Sequence, residues 1–237
     1  MCGRYVSPDT ADIERQWHIG RHNSNPLHRR YNVAPTTDVP ILRRAADADE
    51  LELTEARWGL IPHWWSKPKM PTATINARSE EAASKPMWRD AYRNARCLIP
   101  AIGWYEWKPM ERTDPATGEV KGYKQPFYLY VEPDKPVCFA GLMSTWTPAG
   151  GEPRLTCAIL TRSPSPSAAV IHDRMPVILQ DDAHRYWLDP EIKDAAKIAE
   201  IVTTRTLDKV NHYPVSTRLN SAKTDDADLI EPLLEHT

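Results

Sequence analysis

The chain has no long hydrophobic run, no closely spaced cysteine pair, almost no net charge and almost no phenylalanine, and each shortage narrows what it can do. No stretch approaches the roughly 18 consecutive apolar residues of a membrane span, and the opening residues lack the apolar centre of a secretory signal. A soluble protein that is not exported is therefore expected. Cys2, Cys97, Cys138 and Cys157 are spread widely with no Cys-x-x-Cys pair, which argues against a disulfide framework and a zinc cluster. The last three lie in apolar runs and read as reduced core residues. His18, His22 and His28 lack the glutamate of a zinc-protease helix, and Gly20 interrupts the turn, so no metal or other cofactor is expected. With 30 basic and 32 acidic side chains the formal charge is -2, so any contact with phosphate must come from a local patch. No internal repeat or dividing linker is evident. A length of 237 residues suits one domain.

What the chain has in excess is proline, 22 residues, and tryptophan, nine residues beside two phenylalanines. Prolines at this frequency break a chain into short strands and turns, and indoles are flat surfaces able to stack or wedge. Strands are predicted at Gly3 to Val6, Val39 to Arg43, Leu51 to Trp58, Phe127 to Val131, Val137 to Leu142, Leu155 to Thr161 and Val177 to Leu179. A helix follows Ser7-Pro8-Asp9-Thr10, a helical region runs from Thr74 to about Asn94, and another starts at Pro190. Glu111 to Lys124 is polar and turn-rich and reads as an exposed hairpin loop without chemistry. The ordered core is expected to end near Ser221.

The reactive feature is Met1-Cys2-Gly3-Arg4-Tyr5. Removal of Met1 would leave an α-amine and a thiol on one residue. The amine can add to an aldehyde as a Schiff base, and the thiol, two atoms away, can close a five-membered thiazolidine with the advantage of an intramolecular reaction. With Met1 retained, the Cys2 nitrogen is an amide and cannot condense. The alternative is that Cys2 merely starts a strand as a small apolar residue.

Glu106 stands out within the apolar, aromatic stretch Cys97 to Trp107, where partial desolvation would raise its pKa toward neutrality. His172, in His172-Asp173-Arg174-Met175-Pro176, is a second candidate acid or base. Trp64 and Trp65 are adjacent on an extended segment and must point to opposite faces, so at least one is expected to be exposed.

Six strings together resemble one family: Met1-Cys2-Gly3-Arg4-Tyr5, Tyr31-Asn32-Val33-Ala34-Pro35, Trp58-Gly59-Leu60-Ile61-Pro62, Asn76-Ala77-Arg78-Ser79-Glu80, Arg96-Cys97-Leu98-Ile99-Pro100 with Gly103-Trp104-Tyr105-Glu106-Trp107, and the His172 string. In this order they resemble the SRAP (SOS response-associated peptidase-like) family of abasic-site shielding proteins, from Cys2 to about Ser221. The resemblance implies an α+β single domain with a mostly antiparallel, barrel-like core of short strands flanked by helices. It also implies that Cys2 attacks the ring-opened C1′ aldehyde of an abasic deoxyribose in single-stranded DNA and becomes a thiazolidine crosslink. Asn76 would hold the Cys2 end, Glu106 would move protons during sugar opening and imine formation, and His172 would assist near the sugar and its 3′ phosphate.

Arg4, Arg78 and Arg174 each lie within two residues of one of these groups and are candidate phosphate contacts, with Trp64 or Trp65 beside a base. Single-stranded DNA with abasic sites is thus the implied partner, with replication or repair proteins as further candidates, a monomer as the simplest state, and the nucleoid or the nucleus as the location. Ile102, Trp104 and the length of the 111–124 loop depart from the family pattern. Competing functions are an amino-terminal cysteine amidotransferase of the class II glutamine type, a non-covalent reader of single-stranded DNA, and a self-acting peptidase that removes Met1.

Overall fold

The computed structural model describes residues 2–47, 49–67, 69–72 and 74–233. Among these residues the proline-broken chain forms β1 (Arg4–Ser7), β2 (Arg21–Asn23), β3 (Arg30–Val33), β4 (Asp38–Arg44), β5 (Leu51–Trp58), β6 (Asn76–Arg78), β7 (Arg96–Ala101), β8 (Gly103–Thr113), β9 (Val120–Tyr130), β10 (Val137–Trp146), β11 (Arg154–Arg162), β12 (Met175–Pro176), β13 (Ile178–Leu179) and β14 (Asn211–Pro214). The α-helices are short: α1 (Thr10–Gln16), α2 (Ser79–Ala82), α3 (Arg89–Asn94), α4 (Pro166–Ala169), α5 (His184–Trp187) and α6 (Ala195–Thr204).

Five strands close on themselves. β5 pairs with β4, β4 with β7, β7 with β10 and β10 with β11, all antiparallel, and a parallel contact of β11 with β5 through Thr156↔Arg57 and Cys157↔Trp58 completes the ring. The closing contact is short, so the facing edges of β5 and β11 beyond it stay open and are taken by β2 on β5 and by β6 on β11. A second sheet, ordered β14-β9-β8-β1-β3, lies beside the barrel. The structure is therefore the α+β, mostly antiparallel, barrel-like architecture expected from the sequence.

The interior joins the two sheets. Tyr5, Trp58, Ile99, Trp104, Phe139 and Ile159 are buried in one cluster, with Tyr5 meeting the Trp58 ring edge-on at 5.4 Å and Trp104 meeting Phe139 at 5.9 Å. Each such aromatic pair adds about 0.5–1.5 kcal/mol beyond the area it buries. Trp58, Trp104 and Trp187 are fully buried, so indoles fill core volume that phenylalanine would occupy elsewhere. Period-two alternation divides β8. Trp104 and Glu106 face the intersheet core, while Tyr105 packs with Val6, Tyr128, Leu219 and Leu229 under the C-terminal segment.

The segment predicted as helix from Thr74 instead opens with strand β6, whose Asn76, Ala77 and Arg78 pair in parallel with Ile159, Leu160 and Thr161 of β11. An exposed edge of the sheet overrides the helical propensity of this stretch. The helix placed at Pro190 begins at Ala195, because the Asp194 carboxylate accepts the Ala196 and Lys197 N–H groups at 2.9 and 3.0 Å. Most of the 111–124 loop is strand: the β8–β9 ladder continues unbroken to Thr113↔Val120, leaving a turn only at 114–119. Order also extends past Ser221. The Asn32 amide donates to the Thr224 carbonyl at 2.7 Å, Asp225 accepts the Tyr31 and Asn32 N–H groups, and Leu229 is buried.

Candidate active site

Three elements meet around Cys2. The residue precedes β1, and β1 lies against β8 through Arg4↔Tyr105 and Tyr5↔Trp104, which brings the start of the chain alongside Glu106. Asn76, first residue of β6, reaches across from the barrel, and its side-chain N–H donates to the Cys2 carbonyl at 3.0 Å. His172 comes from the loop after α4, with Nε2 at 3.7 Å from Glu106 Oε2. Cys2, Asn76, Glu106 and His172, spread over 170 residues of sequence, are thus assembled in one place.

Burial governs the electrostatics. Cys2 is 1% exposed, and desolvation pushes its thiol well above the ordinary cysteine value; the Glu106 carboxylate, which accepts the thiol proton in a hydrogen bond, pushes in the same direction. Glu106 is 2% exposed, and desolvation raises its carboxyl, opposed by the Cys2 hydrogen bond and by His172. A carboxyl raised by burial and in hydrogen-bond contact with a thiol is placed to exchange a proton with it. The Arg174 N–H donates to His172 Nδ1 at 3.0 Å, which places the proton of a neutral ring on Nε2, facing Glu106. The exposed Asp173 carboxylate lies 3.0 Å from the same Nδ1 and serves it when the ring is charged.

A pocket of about 280 Å³ adjoins this cluster, lined by Thr74, Asn76, Arg78, Lys85, Thr161 and Arg174 among others. Arg174 donates bidentately to Glu80 at 2.8 and 2.9 Å and to the Thr161 carbonyl at 2.7 Å. Arg78 is exposed at the end of β6. Arg4 sits opposite Tyr105 and donates to Asn32 Oδ1 at 2.9 Å and the Leu219 carbonyl at 3.2 Å, so the structure brings Arg78 and Arg174 to the pocket and ties Arg4 into the C-terminal segment. Neither Lys85 nor Thr161 was singled out from the sequence. Thr161 comes beside Arg78 through the β6–β11 pairing, which no local motif encodes, and Lys85 follows α2, which starts directly after β6.

Trp64 is 45% exposed and forms one wall of an apolar groove of about 380 Å³ with Leu60, Pro62, Met87 and Met143. Trp65, less exposed, is anchored: its indole N–H donates to the Lys69 carbonyl at 3.1 Å, and its own carbonyl accepts from Trp146 Nε1 at 2.8 Å. Cys97, Cys138 and Cys157 are buried free thiols, and no described helix is long and apolar enough to cross a membrane.

A closed barrel and a flanking sheet thus hold Cys2, next to the first strand, against the buried Glu106 carboxyl. The chain belongs to the SRAP family: the family model described as SOS response associated peptidase matches residues 1–222. Among its relatives, the abasic site processing protein YoqW of Bacillus subtilis is 36% identical over 233 residues, covering 98% of this chain and 99% of YoqW. The abasic site processing protein YedK of Escherichia coli K12 is 33% identical, covering 98% of this chain and all of YedK. The abasic site processing protein HMCES of Xenopus tropicalis is 30% identical over 94% of this chain and 76% of its own. A crystal structure of a phage-related protein from Bordetella bronchiseptica is similar with a TM-score of 0.66 at 31% identity, over 90% of this chain and 94% of that one. Another, from Bacteroides thetaiotaomicron, gives 0.71 at 26% identity, over 86% and 85%.

Proposed function

We propose that this protein processes abasic sites in single-stranded DNA by forming a covalent thiazolidine through Cys2 once Met1 has been removed. The observation that carries the reading is the junction of the Cys2 thiol with the buried Glu106 carboxyl, with Asn76 bonded to Cys2 and His172 Nε2 3.7 Å from Glu106. Its relatives named as abasic site processing proteins point to the same substrate.

The chemistry balances without a cofactor. The Cys2 amine adds to the C1′ aldehyde of the open sugar to give a carbinolamine, Glu106 as an acid protonates the departing hydroxyl, and water leaves as the imine forms. The thiol then adds to the imine carbon, its proton passes through Glu106 to the nitrogen, and the five-membered ring closes. Asn76 Oδ1 is buried without a hydrogen-bond partner among the described residues, an acceptor of the kind a free Cys2 amine requires. His172 shares the proton traffic on the sugar side. Arg78 holds a flanking phosphate, Arg174 and Arg4 join it only by sharing their guanidinium groups with Glu80 and Asn32, and Trp64 stacks on a base.

The test is a denaturing gel. Protein mixed with single-stranded DNA bearing one abasic site should give a heat-stable retarded band, and intact-mass analysis of the reactive protein should show Met1 gone. Neither Cys2→Ala nor a form with one residue added before Cys2 should give the band. A band from either, or full reactivity with Met1 in place, rejects the reading. Ammonia release from glutamine would indicate the amidotransferase chemistry instead.

A further inference from the structure

Beyond the barrel, β8 and β9 run on as a two-stranded ribbon, and its two faces differ. Cross-strand partners share a face, so the unbroken register Glu106↔Phe127, Lys108↔Gln125, Met110↔Tyr123, Arg112↔Lys121 places Lys108, Met110, Tyr123, Arg112 and Lys121 in one line with Glu106. Pro109↔Lys124, Glu111↔Gly122 and Thr113↔Val120 occupy the opposite face. The site-side face therefore holds three cations and no carboxylate of the ladder beyond Glu106, whereas the other face mixes Lys124 with Glu111.

Two features of that face are unfavourable for the isolated protein. Arg112 and Lys121 are directly opposite each other, an arrangement of like charges that weakens a strand pair, relieved in part by the Lys121–Glu119 ion pair at 3.1 Å. Of the seven large hydrophobic side chains exposed among the described residues, three, Met110, Val120 and Tyr123, are on this ribbon; Met110 and Tyr123 share the cationic face, where the tyrosine hydroxyl donates to the Met110 sulfur at 3.8 Å. A polyanion carrying flat apolar groups relieves both.

We propose that this face of the ribbon is a second contact surface for single-stranded DNA, which carries the strand on one side of the lesion away from Glu106, with Lys108, Arg112 and Lys121 on phosphates and Tyr123 under a base. At about 3.4 Å per residue the line from Glu106 to Arg112 extends the binding track by about 20 Å. The inference rests on the reading of the protein as one that acts on single-stranded DNA.

The test uses the full chain and an undamaged single-stranded oligonucleotide of about 20 nucleotides, so that binding is read without the crosslink. Arg112→Ala should reduce the slope of log affinity against log salt by about 0.7, and the Lys108→Ala/Arg112→Ala pair by about 1.4. Lys124→Ala, one charge removed from the opposite face, should leave the slope as it is. Tyr123→Ala should weaken binding roughly tenfold, and Tyr123→Phe should restore it. Equal slopes for the wild type and Arg112→Ala, or equal losses from Arg112→Ala and Lys124→Ala, overturn the ribbon contact while abasic-site crosslinking by the wild type still stands. A wild type that neither binds nor crosslinks single-stranded DNA overturns both.

Discussion

The side-chain amide of Asn76 donates to the backbone carbonyl of Cys2 at 3.0 Å, and this one bond links the edge of the barrel to the head of the chain. It fixes a backbone oxygen three bonds from the proposed nucleophilic nitrogen. Replacing Asn76 by alanine leaves the buried carbonyl without its donor, at about 1–3 kcal/mol, and lets the Cys2 end wander. Crosslink formation at an abasic site should slow at least tenfold, measured as a single-turnover rate on a denaturing gel. Asn76→Asp should be worse than alanine at pH 8, since an ionised carboxylate would confront the same carbonyl. An unchanged rate in both variants would remove Asn76 from the site.

Glu106 gives a pH signature that separates its burial from its chemistry. Desolvation raises its carboxyl above the ordinary value of about 4.3, so the folded chain holds this proton more tightly than the unfolded chain. The stability linked to that proton is complete below the ordinary value and is lost as pH rises through the raised one. Glu106→Gln has no such proton to lose. Its Tm relative to the wild type should therefore climb between pH 4 and pH 8, while its crosslinking rate falls on the order of 100-fold for want of a general acid. A Tm difference that stays flat over this range would show that the carboxyl is not raised.

The sequence made the ends of this argument legible and hid the middle. Cys2, Glu106 and His172 each sit in a short string with its own chemical sense, Asn76 is marked only by the family resemblance, and strands such as Leu51–Trp58 announce themselves by alternation. What pairs with what across long separations is different in kind. The parallel contact of Asn76 with Ile159, the barrel closure through Thr156↔Arg57 and the capture of Arg174 by Glu80 are tertiary facts, set by which edges remain open once the barrel forms. The stretch from Glu111 to Lys124 reads as loop in the sequence for a related reason, although all but its turn is strand. Both its faces meet water, so it lacks the apolar alternation by which a half-buried strand is detected.

Adjacent tryptophans should behave as opposites. Trp64 is exposed over its apolar groove and its indole makes no hydrogen bond among the described residues, whereas Trp65 ties the loop through Lys69 and accepts from Trp146. Trp64→Ala should weaken single-stranded DNA binding by about 1–3 kcal/mol with Tm unchanged. Trp65→Ala should lower both affinity and Tm. Fluorescence anisotropy beside a thermal melt distinguishes them, and a destabilised Trp64→Ala would reassign that ring to the core.

Arg96 is the residue on which the helical side of the fold depends. It is 6% exposed, and its guanidinium donates to four carbonyls: Tyr92 at 2.9 Å, Arg93 at 2.8 Å, Trp187 at 2.6 Å and Asp189 at 2.6 Å. Tyr92 and Arg93 are in the last turn of α3 and Trp187 ends α5, so one cation serves carbonyls that two helices leave without intrahelical partners. Desolvation lowers the Arg96 pKa, yet a guanidinium remains charged at any pH at which the protein folds. Arg96→Met matches much of the volume but strands several buried acceptors, each at about 1–3 kcal/mol, so unfolding free energy should fall by at least 3 kcal/mol. Arg96→Lys, a point donor without the planar fork, should recover only part of it. Urea denaturation with an unchanged m-value would record the loss; a shift below about 1 kcal/mol would mean that water replaces the guanidinium at the helix ends.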